Sequence, residues 1–496
     1  MYASALRNTL LILACLATAG TASAGTITTW SGAGGNANWS TSANWVSGSK
    51  PTVSGTTYSL IYRGSVTQKT ATNDLGGPVN VDSILFDNNG GTGSNTAFVL
   101  ARSGTASLSL TNGGNVTTTA SSLTITDTIS SWMRLQGTGT FNMGTSHNVL
   151  LSGSLTGAGS IVKTGAGDLL LSGVNDLSSL KIDQGVVQVN ANAFASISGQ
   201  TFEIGSSGQS GGLRFSGVGS AGSPVSTTSN FQMNGSGNVA ANNSSSVTFT
   251  AAQFNVANAA VTTPTTLTLN GGGAGSNGTM KIDGVIQDNS GSGNVGVAIA
   301  GANVWQFAGI NTYTGVTTVG AAAKLFLTGK IDAASAVTSS GLIAGSGTFG
   351  GDVTILSGTL APGGVSLGGG GITDSLGALT MRALTLSGSA TTQMTITGST
   401  SDLYDQVIGS AVLNWGGTLA LTLGDGLVTS YDDWTTFNLF TGFTSTIGNL
   451  AGITLAADGT DFAGMTFYQG TDGDWYTGWD GVNGAVASGW NAAGRS

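Results

Sequence analysis

Residues 157–190 read GAGSIVKTGAGDLLLSGVNDLSSLKIDQGVVQVN, and weaker copies of this unit recur along the chain of 496 residues. Within the unit, apolar and polar residues alternate, and glycines stand at the positions where strands would turn. Alternation with a period of two is typical of strands that bury one face. A strand–turn unit of roughly 30 residues that repeats in this way predicts a stacked all-β architecture.

A second copy of the unit lies at residues 305–327, WQFAGINTYTGVTTVGAAAKLFL. Two slips of a single residue, both at turn-like places, bring its apolar positions and its Gly-x-Asn turn into line with the first copy. The aligned pairs are Trp305 with Leu169, Phe307 with Leu171, Gly309 with Gly173, Asn311 with Asn175, Val319 with Ile182, Leu325 with Val187, and Leu327 with Val189.

Two shorter motifs also repeat along the chain. The pattern Gly-x-Gly followed by an apolar residue occurs at 137–141, 157–161 and 345–349. The tripeptide Leu-[Thr/Ser]-[Leu/Ile] occurs at 108–110, 123–125, 267–269, 384–386 and 421–423. We interpret each tripeptide as the core of a strand, with its apolar residues pointing inward and its hydroxyl pointing outward.

The composition excludes collagen and disfavours disorder. The chain has 82 Gly but only 5 Pro, and glycine does not recur at every third position as collagen requires. Its 40% of hydrophobic and 7% of charged residues also differ from the composition of disordered chains. Because stacked strands satisfy one another's backbone groups, Ser, Thr and Asn can cover the outer faces in place of Lys and Glu.

The balance of charges narrows the classes of partner. The formal net charge is −9, and Glu203 is the single glutamate among the 23 acidic residues. An acidic chain that is poor in Lys and Arg argues against nucleic-acid binding. Beyond the first 24 residues, we find no convincing amphipathic helix.

Residues 1–24 have the pattern of a secretory signal peptide. Arg7 supplies the positive end, residues 10–17 form a short apolar run, and Ala-Ser-Ala at 22–24 is a small-x-small cleavage site. The mature chain is therefore expected to begin near Gly25. A membrane anchor is the alternative, although the apolar run is too short to span a bilayer.

The single cysteine, Cys15, lies inside this leader, so the mature chain has no disulfide. Attachment of a lipid to Cys15 is a further alternative. A cysteine-free secreted β-protein is more typical of bacteria than of a eukaryotic secretory pathway. We therefore expect a secreted or cell-surface protein with no transmembrane segment in the mature chain.

Changes in composition divide the chain into four regions. Residues 1–24 are the signal peptide, 25–120 an N-terminal β cap region, 121–384 the repeat region, and 385–496 a C-terminal β module and tail. Trp30, Trp39 and Trp45 cluster in the second region. We interpret them as a cap over the core of the terminal turn, and the alternative is a platform on which sugars stack.

Candidate catalytic and metal-binding residues are few. His147 is the only histidine, and a lone histidine in a Ser/Thr-rich strand is more often a surface residue than part of a Ser-His-Asp site. The acidic pairs lack the partners or the spacing that glycoside hydrolysis or calcium binding requires. These pairs are Asp402 with Asp405, Asp432 with Asp433, and Asp472 with Asp474. We predict no catalytic, cofactor-binding or metal-binding residue.

The unit at 157–190 resembles the autotransporter-associated β-strand repeat, whose pattern is approximately G-x-G-x-[LIV]-x-K-x-G-x-G-x-L-x-L-x-G before an Asn-Thr-Tyr-x-Gly turn. The matching residues are Gly157, Gly159, Ile161, Lys163, Gly165, Gly167, Leu169, Leu171 and Gly173, and residues 311–315 supply the turn in the second copy. The tryptophan-rich opening is also similar to the start of such proteins from Gram-negative bacteria. The resemblance implies a secreted passenger folded as a right-handed parallel β-helix.

The sequence thus predicts a secreted or cell-surface β-helical repeat protein with a structural or adhesive role. Its expected partners are extracellular glycans or neighbouring cell surfaces, which it would contact weakly at many repeated positions. The alternative is an extracellular polysaccharide lyase or hydrolase that uses Asp carboxylates. A groove lined by three or more Asp beside an Arg or Lys would favour the enzyme.

Overall fold

The computed structural model of the protein describes most of the chain as two compact units, one ending at Ile197 and one beginning at Ser198. The described residues are 25–64, 66–88, 97–220, 222–242, 245–250, 253–254, 258, 260–271, 278–291, 293–364, 375–398, 400–423, 436–457, 465–469 and 475–479. The predicted signal peptide lies outside them, as do Asp432, Asp433, Asp472 and Asp474.

The first unit is built from strands that return to the same two parallel sheets. One sheet contains β1 (Thr26–Trp30), β2 (Thr57–Arg63), β4 (Pro78–Asp87), β6 (Ser107–Thr118), β8 (Trp132–Leu135), β9 (Thr138–Asn142), β11 (Leu155–Thr164) and β13 (Asn175–Ile182). The other contains β3 (Thr70–Asn73), β5 (Val99–Arg102), β7 (Ile125–Ile129), β10 (His147–Leu151), β12 (Leu169–Leu171) and β14 (Gly185–Val189). The predicted stacked, parallel β-helical architecture is confirmed.

The second unit continues this principle with four sets of parallel strands. The first set is β15 (Thr201–Ile204), β18 (Asn230–Met233), β21 (Gln253–Phe254) and β24 (Val285–Ile286). The second is β16 (Gly211–Ser216), β19 (Gly237–Asn242), β22 (Thr265–Gly271), β25 (Val295–Ile299), β27 (Thr317–Val319), β30 (Val337–Ser339), β33 (Val353–Ile355), β36 (Leu384–Leu386), β39 (Val412–Trp415) and β43 (Ser445–Gly448).

The third set is β17 (Val225–Thr227), β20 (Val247–Phe249), β23 (Thr279–Ile282), β26 (Val304–Phe307), β28 (Lys324–Leu327), β31 (Leu342–Gly345), β34 (Thr359–Pro362), β37 (Thr391–Ile396), β40 (Thr418–Leu423) and β44 (Gly452–Ala457). The fourth is β29 (Lys330–Ile331), β32 (Thr348–Phe349), β35 (Ala378–Thr380), β38 (Gln406–Ile408) and β42 (Phe440–Thr441). Antiparallel pairing joins β41 (Thr436–Phe437), β45 (Met465–Gln469) and β46 (Trp475–Trp479).

The two aligned copies of the repeat each form one turn of the stack. In the first copy, Leu169 and Leu171 of β12 pair with Val187 and Val189 of β14. In the second, β26 and β28 pair through Trp305 with Leu325 and Phe307 with Leu327. All eight side chains are buried, so the apolar positions of the repeat form a continuous core within each unit.

The Gly-x-Asn spacing that the two copies share marks the same corner in both. The side-chain amides of Asn175 and Asn311 are buried, and each donates to the carbonyl two residues earlier, that of Gly173 at 2.8 Å and of Gly309 at 3.3 Å. The turn that begins at Asn311 also places Tyr313 in the core. Burial raises the pKa of the Tyr313 hydroxyl, which lies 2.7 Å from the hydroxyl of Thr317.

Two local predictions were wrong. Leu123 is 57% exposed and precedes β7, so the tripeptide at 123–125 is not a strand core. A seven-residue helix, α1 (Ala191–Ile197), buries Ala193, Phe194 and Ile197, although we expected no such helix. Its start is capped by Asn190, whose side-chain oxygen accepts from the Ala193 N–H at 3.0 Å. No helix in the described ranges has the length and apolarity to cross a membrane.

The three clustered tryptophans are buried beside the first strand. The ring of Trp45 lies edge-on to both Trp30 and Trp39, with centroids 5.2 Å and 5.4 Å away. Two single turns of 3-10 helix, Ser42–Asn44 and Val46–Gly48, flank Trp45. Exposure of these rings is at most 2%, so they serve as core and leave no face on which a sugar could stack.

The high glycine content follows from the way that the corners of successive turns stack on one another. A Cβ on Gly329 would overlap the carbonyl oxygen of Gly309, and a Cβ on Gly347 would overlap that of Gly329. A second column of stacked glycines consists of Gly320, Gly341 and Gly358. A Cβ on Gly341 or Gly358 would likewise overlap the carbonyl oxygen of the preceding glycine in this column. At these corners, consecutive turns approach so closely that the backbone of one occupies the place of a side chain on the next.

We expect Gly329→Ala to lower the free energy of unfolding by about 1–3 kcal/mol, since the added methyl group must push two stacked turns apart. Urea unfolding followed by circular dichroism measures this change. The control is Gly388→Ala, because a Cβ there meets no atom within 4 Å. Equal stability of the two variants would contradict the close-packed corner.

Candidate interaction surface and buried polar groups

His147 is buried, which corrects the expectation of a surface residue. In β10, His147, Val149 and Leu151 alternate with half-exposed residues and point inward. On the neighbouring strand β7, Asp127 also points inward, and its Oδ2 lies 2.5 Å from Nε2 of His147. The alternation of HNVLL itself indicates this orientation, whereas the Ser/Thr-rich context obscures it.

Hydrogen-bonding groups surround the ring of His147. Nδ1 lies 2.7 Å from the carbonyl oxygen of Thr119, so this nitrogen carries a proton. On the other side of the ring, Nε2 lies 2.5 Å from Oδ2 of Asp127 and 3.3 Å from Nδ2 of Asn88, while Oδ1 of Asp127 accepts the Phe98 N–H at 2.7 Å. Among the described residues, no serine hydroxyl bonds to the ring. The arrangement therefore closes a buried polar pair and lacks the nucleophile of a Ser-His-Asp site.

Lys69 adds a positive charge near this pair. Its ammonium group lies 4.1 Å from the ring centroid of Phe98 and donates to the carbonyl oxygen of Gly64. Partial burial lowers the pKa of Lys69, and the carboxylate of Asp127 opposes that shift. The carboxylate of Asp127 thus favours the charged form of Lys69.

Lys163 is the fully buried lysine of the repeat motif. Its side chain points inward from β11, and Nζ donates to the carbonyl oxygens of Thr164 and Gly165 at 2.7 Å and of Gln184 at 3.1 Å. These three acceptors lie at two successive corners, so the ammonium group ties the corners together. Burial lowers the pKa of Lys163 to about 8, and the charge of Asp168 opposes the shift.

The two residues of the acidic pair at 402 and 405 lie in different environments. Asp402 is exposed, whereas Asp405 is buried and accepts backbone N–H groups from Gly377 and Thr395, each at 2.8 Å. A carboxylate used in this way ties the backbone of β37 to the residue that precedes β35. In the part of the chain that the structure describes, no group of three or more His, Cys, Asp or Glu could hold a metal ion.

Trp132 is an exposed aromatic residue that the sequence analysis did not identify. It is 43% exposed, and the guanidinium carbon of Arg102 lies 3.6 Å from its ring centroid. In β8, Trp132 and Arg134 share the outward face because they are two residues apart. The alternation of Trp132 with buried Met133 was the available signal.

A row of threonines runs along the outside of the second unit. Residues Thr318, Thr338, Thr354 and Thr385 are the central residues of β27, β30, β33 and β36, and they pair in sequence across the sheet. We call these four residues the hydroxyl row. Each lies between two buried neighbours, so that its side chain points away from the core.

The hydroxyl row is accessible and largely unpaired. Among the described residues, the hydroxyls of Thr318, Thr338 and Thr354 make no hydrogen bond, while that of Thr385 accepts from the amide of Asn414 at 3.2 Å. Neighbouring strands are about 4.8 Å apart, so the row presents one hydroxyl per turn over roughly 14 Å. Such a row can bind a partner that offers polar groups along its length.

The chain matches no protein-family model and no curated protein.

We expect Asp127→Asn to lower the free energy of unfolding by about 3–5 kcal/mol, because it leaves His147 buried with one acceptor removed. Thermal and urea unfolding measure the change. The control is Asp87→Asn, which breaks the 2.9 Å pair with Arg63, a side chain that is 49% exposed. That variant should lose at most about 1 kcal/mol, and similar losses in both would argue against a desolvated His–Asp pair.

Lys163 should give the protein a distinctive stability profile in alkaline solution. Between pH 8 and about 10.5, the unfolded chain binds a proton at Lys163 that the folded chain has released, so stability rises with pH across this window. Between these two pH values, the free energy of unfolding of the wild-type protein should rise by about 3 kcal/mol relative to that of Lys163→Met.

Urea unfolding at several pH values from 7 to 10.5 tests this gain. The control Lys181→Met removes a lysine whose side chain is 37% exposed and which pairs with Asp183 at 3.2 Å. Its profile should run parallel to that of the wild type. A parallel profile for Lys163→Met as well would show that the buried amine keeps its proton throughout.

Proposed function

We propose that the protein is a secreted or cell-surface β-helical repeat protein with a structural or adhesive role, and that the hydroxyl row contacts extracellular glycans. The observation that supports this proposal is the row itself, with three hydroxyls that have no partner among the described residues. A polar face that repeats with every turn suits a polymer whose own hydroxyl groups repeat.

The contact is shallow, so its strength must come from repetition. A hydrogen bond between neutral groups contributes about 0.5–1.5 kcal/mol after exchange with water. Four such bonds from Thr318, Thr338, Thr354 and Thr385 would give weak affinity on their own. Many chains displayed on one cell, each engaging a long glycan, would raise the avidity well above that of a single contact.

The proposed location is supported by the sequence. The first 24 residues have the pattern of an export signal, and the rest of the chain has no cysteine. The resemblance to the autotransporter-associated repeat favours the same compartment. The role of Lys163 gives that motif a physical meaning, because its ammonium group joins two corners of successive turns.

The experiment measures binding of the chain from Gly25 onward to insoluble polysaccharides and to a glycan array. Replacing all four residues of the hydroxyl row by valine keeps the β-branched shape and removes the hydroxyls, so binding should fall about tenfold or more. The matched control replaces Thr126, Thr128, Thr138 and Thr140, outward-facing residues of the first unit, by valine.

Loss of binding in the hydroxyl-row variant alone supports the proposal. Equal binding by the wild-type protein and both variants would contradict it, as would failure of the wild-type protein to bind any glycan. Reducing ends are assayed in the same samples. Their release by the wild-type protein would favour the alternative, an extracellular polysaccharide lyase or hydrolase.

A further inference from the structure

The backbone nitrogen of Gly25 lies against a carboxylate. Its N–H donates to Oδ2 of Asp82 at 2.8 Å. The other oxygen of Asp82 accepts from the hydroxyl of Ser59 at 2.7 Å and, more weakly, from that of Ser83 at 3.3 Å. The carboxylate is therefore held in place by β2 and β4 while one oxygen faces the position at which the predicted mature chain begins.

A β-bulge directs this carboxylate. In the pairing of β2 with β4, Tyr58 stands opposite Val81 and Ser59 opposite Ser83, so Asp82 has no partner on β2. The pairing of β4 with β6 skips Asp82 as well. Bulges re-aim a side chain out of the regular alternation. Here the bulge turns Asp82 towards the residue that precedes β1.

Glycine suits this contact for a steric reason. A Cβ on Gly25 would lie 2.7 Å from Oδ2 of Asp82, which is closer than real Cβ atoms approach. Only a residue without a side chain lets the carboxylate reach the backbone nitrogen without displacement.

We propose that the bond between Ala24 and Gly25 is hydrolysed during export and that the new α-ammonium group of Gly25 forms an ion pair with Asp82. A signal-processing endopeptidase would supply the catalysis and water the second reactant. The C–N bond breaks, the oxygen of water stays on the carbonyl carbon of Ala24 as part of a carboxylate, and both protons of water end on the nitrogen of Gly25, which becomes an ammonium group. The inference rests on the proposed export of the chain, and it is independent of glycan binding.

The ion pair would fix the first strand of the unit. Strand β1 pairs with β2 alone among the described strands, so its start is an edge position that could fray. A charge-assisted hydrogen bond is shorter and roughly twice as strong as a neutral one. Processing thus replaces a neutral amide hydrogen bond by an ion pair that joins Gly25 to β4, the third strand of that sheet.

Other charged groups on these strands do not compete for the ammonium group. Arg63 and Asp87 pair with each other at 2.9 Å at the far ends of β2 and β4. The hydroxyl of Tyr58 lies 2.8 Å from that of Thr52. Tyr62 of β2 is fully buried in the core. Asp82 is then what remains among the described titratable residues of β1, β2 and β4.

The first test is the N-terminus of the protein exported by a Gram-negative host, determined by mass spectrometry. The expected first residue is Gly25, and any other first residue overturns the inference. The second test compares the chain that starts at Gly25 with one that keeps Ala24. The amine of the Gly25 chain should react with an amine-specific reagent at pH 7.5 about threefold to tenfold more slowly, because Asp82 stabilises its charged form.

The Asp82→Asn variant tests whether the slow reaction of the Gly25 amine depends on the carboxylate of Asp82. The substitution should speed the reaction of the Gly25 chain and leave that of the Ala24 chain unchanged. It should also lower the melting temperature more in the Gly25 chain than in the Ala24 chain. The control Asp87→Asn, on the same strand, should act equally on both chains. Equal rates for the two unsubstituted chains would refute the ion pair even if Asp82→Asn did not fold.

Because the hydroxyl row lies in the second unit, glycan binding is measured separately. Loss of the inferred ion pair with binding intact would leave the proposed function standing, and the reverse result would leave the processing site standing.

Discussion

Each turn of this chain takes its backbone hydrogen bonds from the turns on either side of it. That requirement forces successive turns to lie about 4.8 Å apart, and it determines which residues can occupy the corners. At Gly309, Gly329 and Gly347, the backbone of one turn fills the volume that a side chain would need on the next. The strands between the corners are then free to alternate, with apolar residues inward and polar residues outward. The abundance of glycine and the low charge follow from this one constraint.

Two ionisable side chains that point inward, Lys163 and His147, are held by hydrogen bonds. Lys163 donates to three carbonyl oxygens at two corners, and His147 lies between Asp127 and a backbone carbonyl. Both arrangements join residues of neighbouring turns, so they stabilise one stacking order and penalise slippage. The buried histidine and lysine therefore belong to the architecture. Asp405 behaves in the same way, because its oxygens accept backbone N–H groups from Thr395 in β37 and from Gly377 just before β35.

On the outer surface, side chains that point away from the core line up from one turn to the next. A strand of three residues buries its two end residues and exposes its central residue. When such strands pair side by side, their central residues form a row. Thr318, Thr338, Thr354 and Thr385 are arranged in this way, although 67 positions separate the first from the last in the sequence. Trp132 reaches the surface by the same alternation in the first unit and holds the guanidinium group of Arg102. Function proposed for such a surface depends on repetition, because no single residue of the row dominates it.

The sequence alone determined the class of fold, the aligned repeat and the inward positions of its strands, because a period of two and glycine at corners are local properties. It also contained the orientation of Lys163, which lies two residues after buried Ile161. Tertiary structure decided which distant residues meet. The partner of His147, the hydroxyl row and the contact of Gly25 with Asp82 all depend on the stacking register and on a bulge. Registers arise from the lengths of the intervening loops, and those lengths vary too much along this chain for a local pattern to fix them.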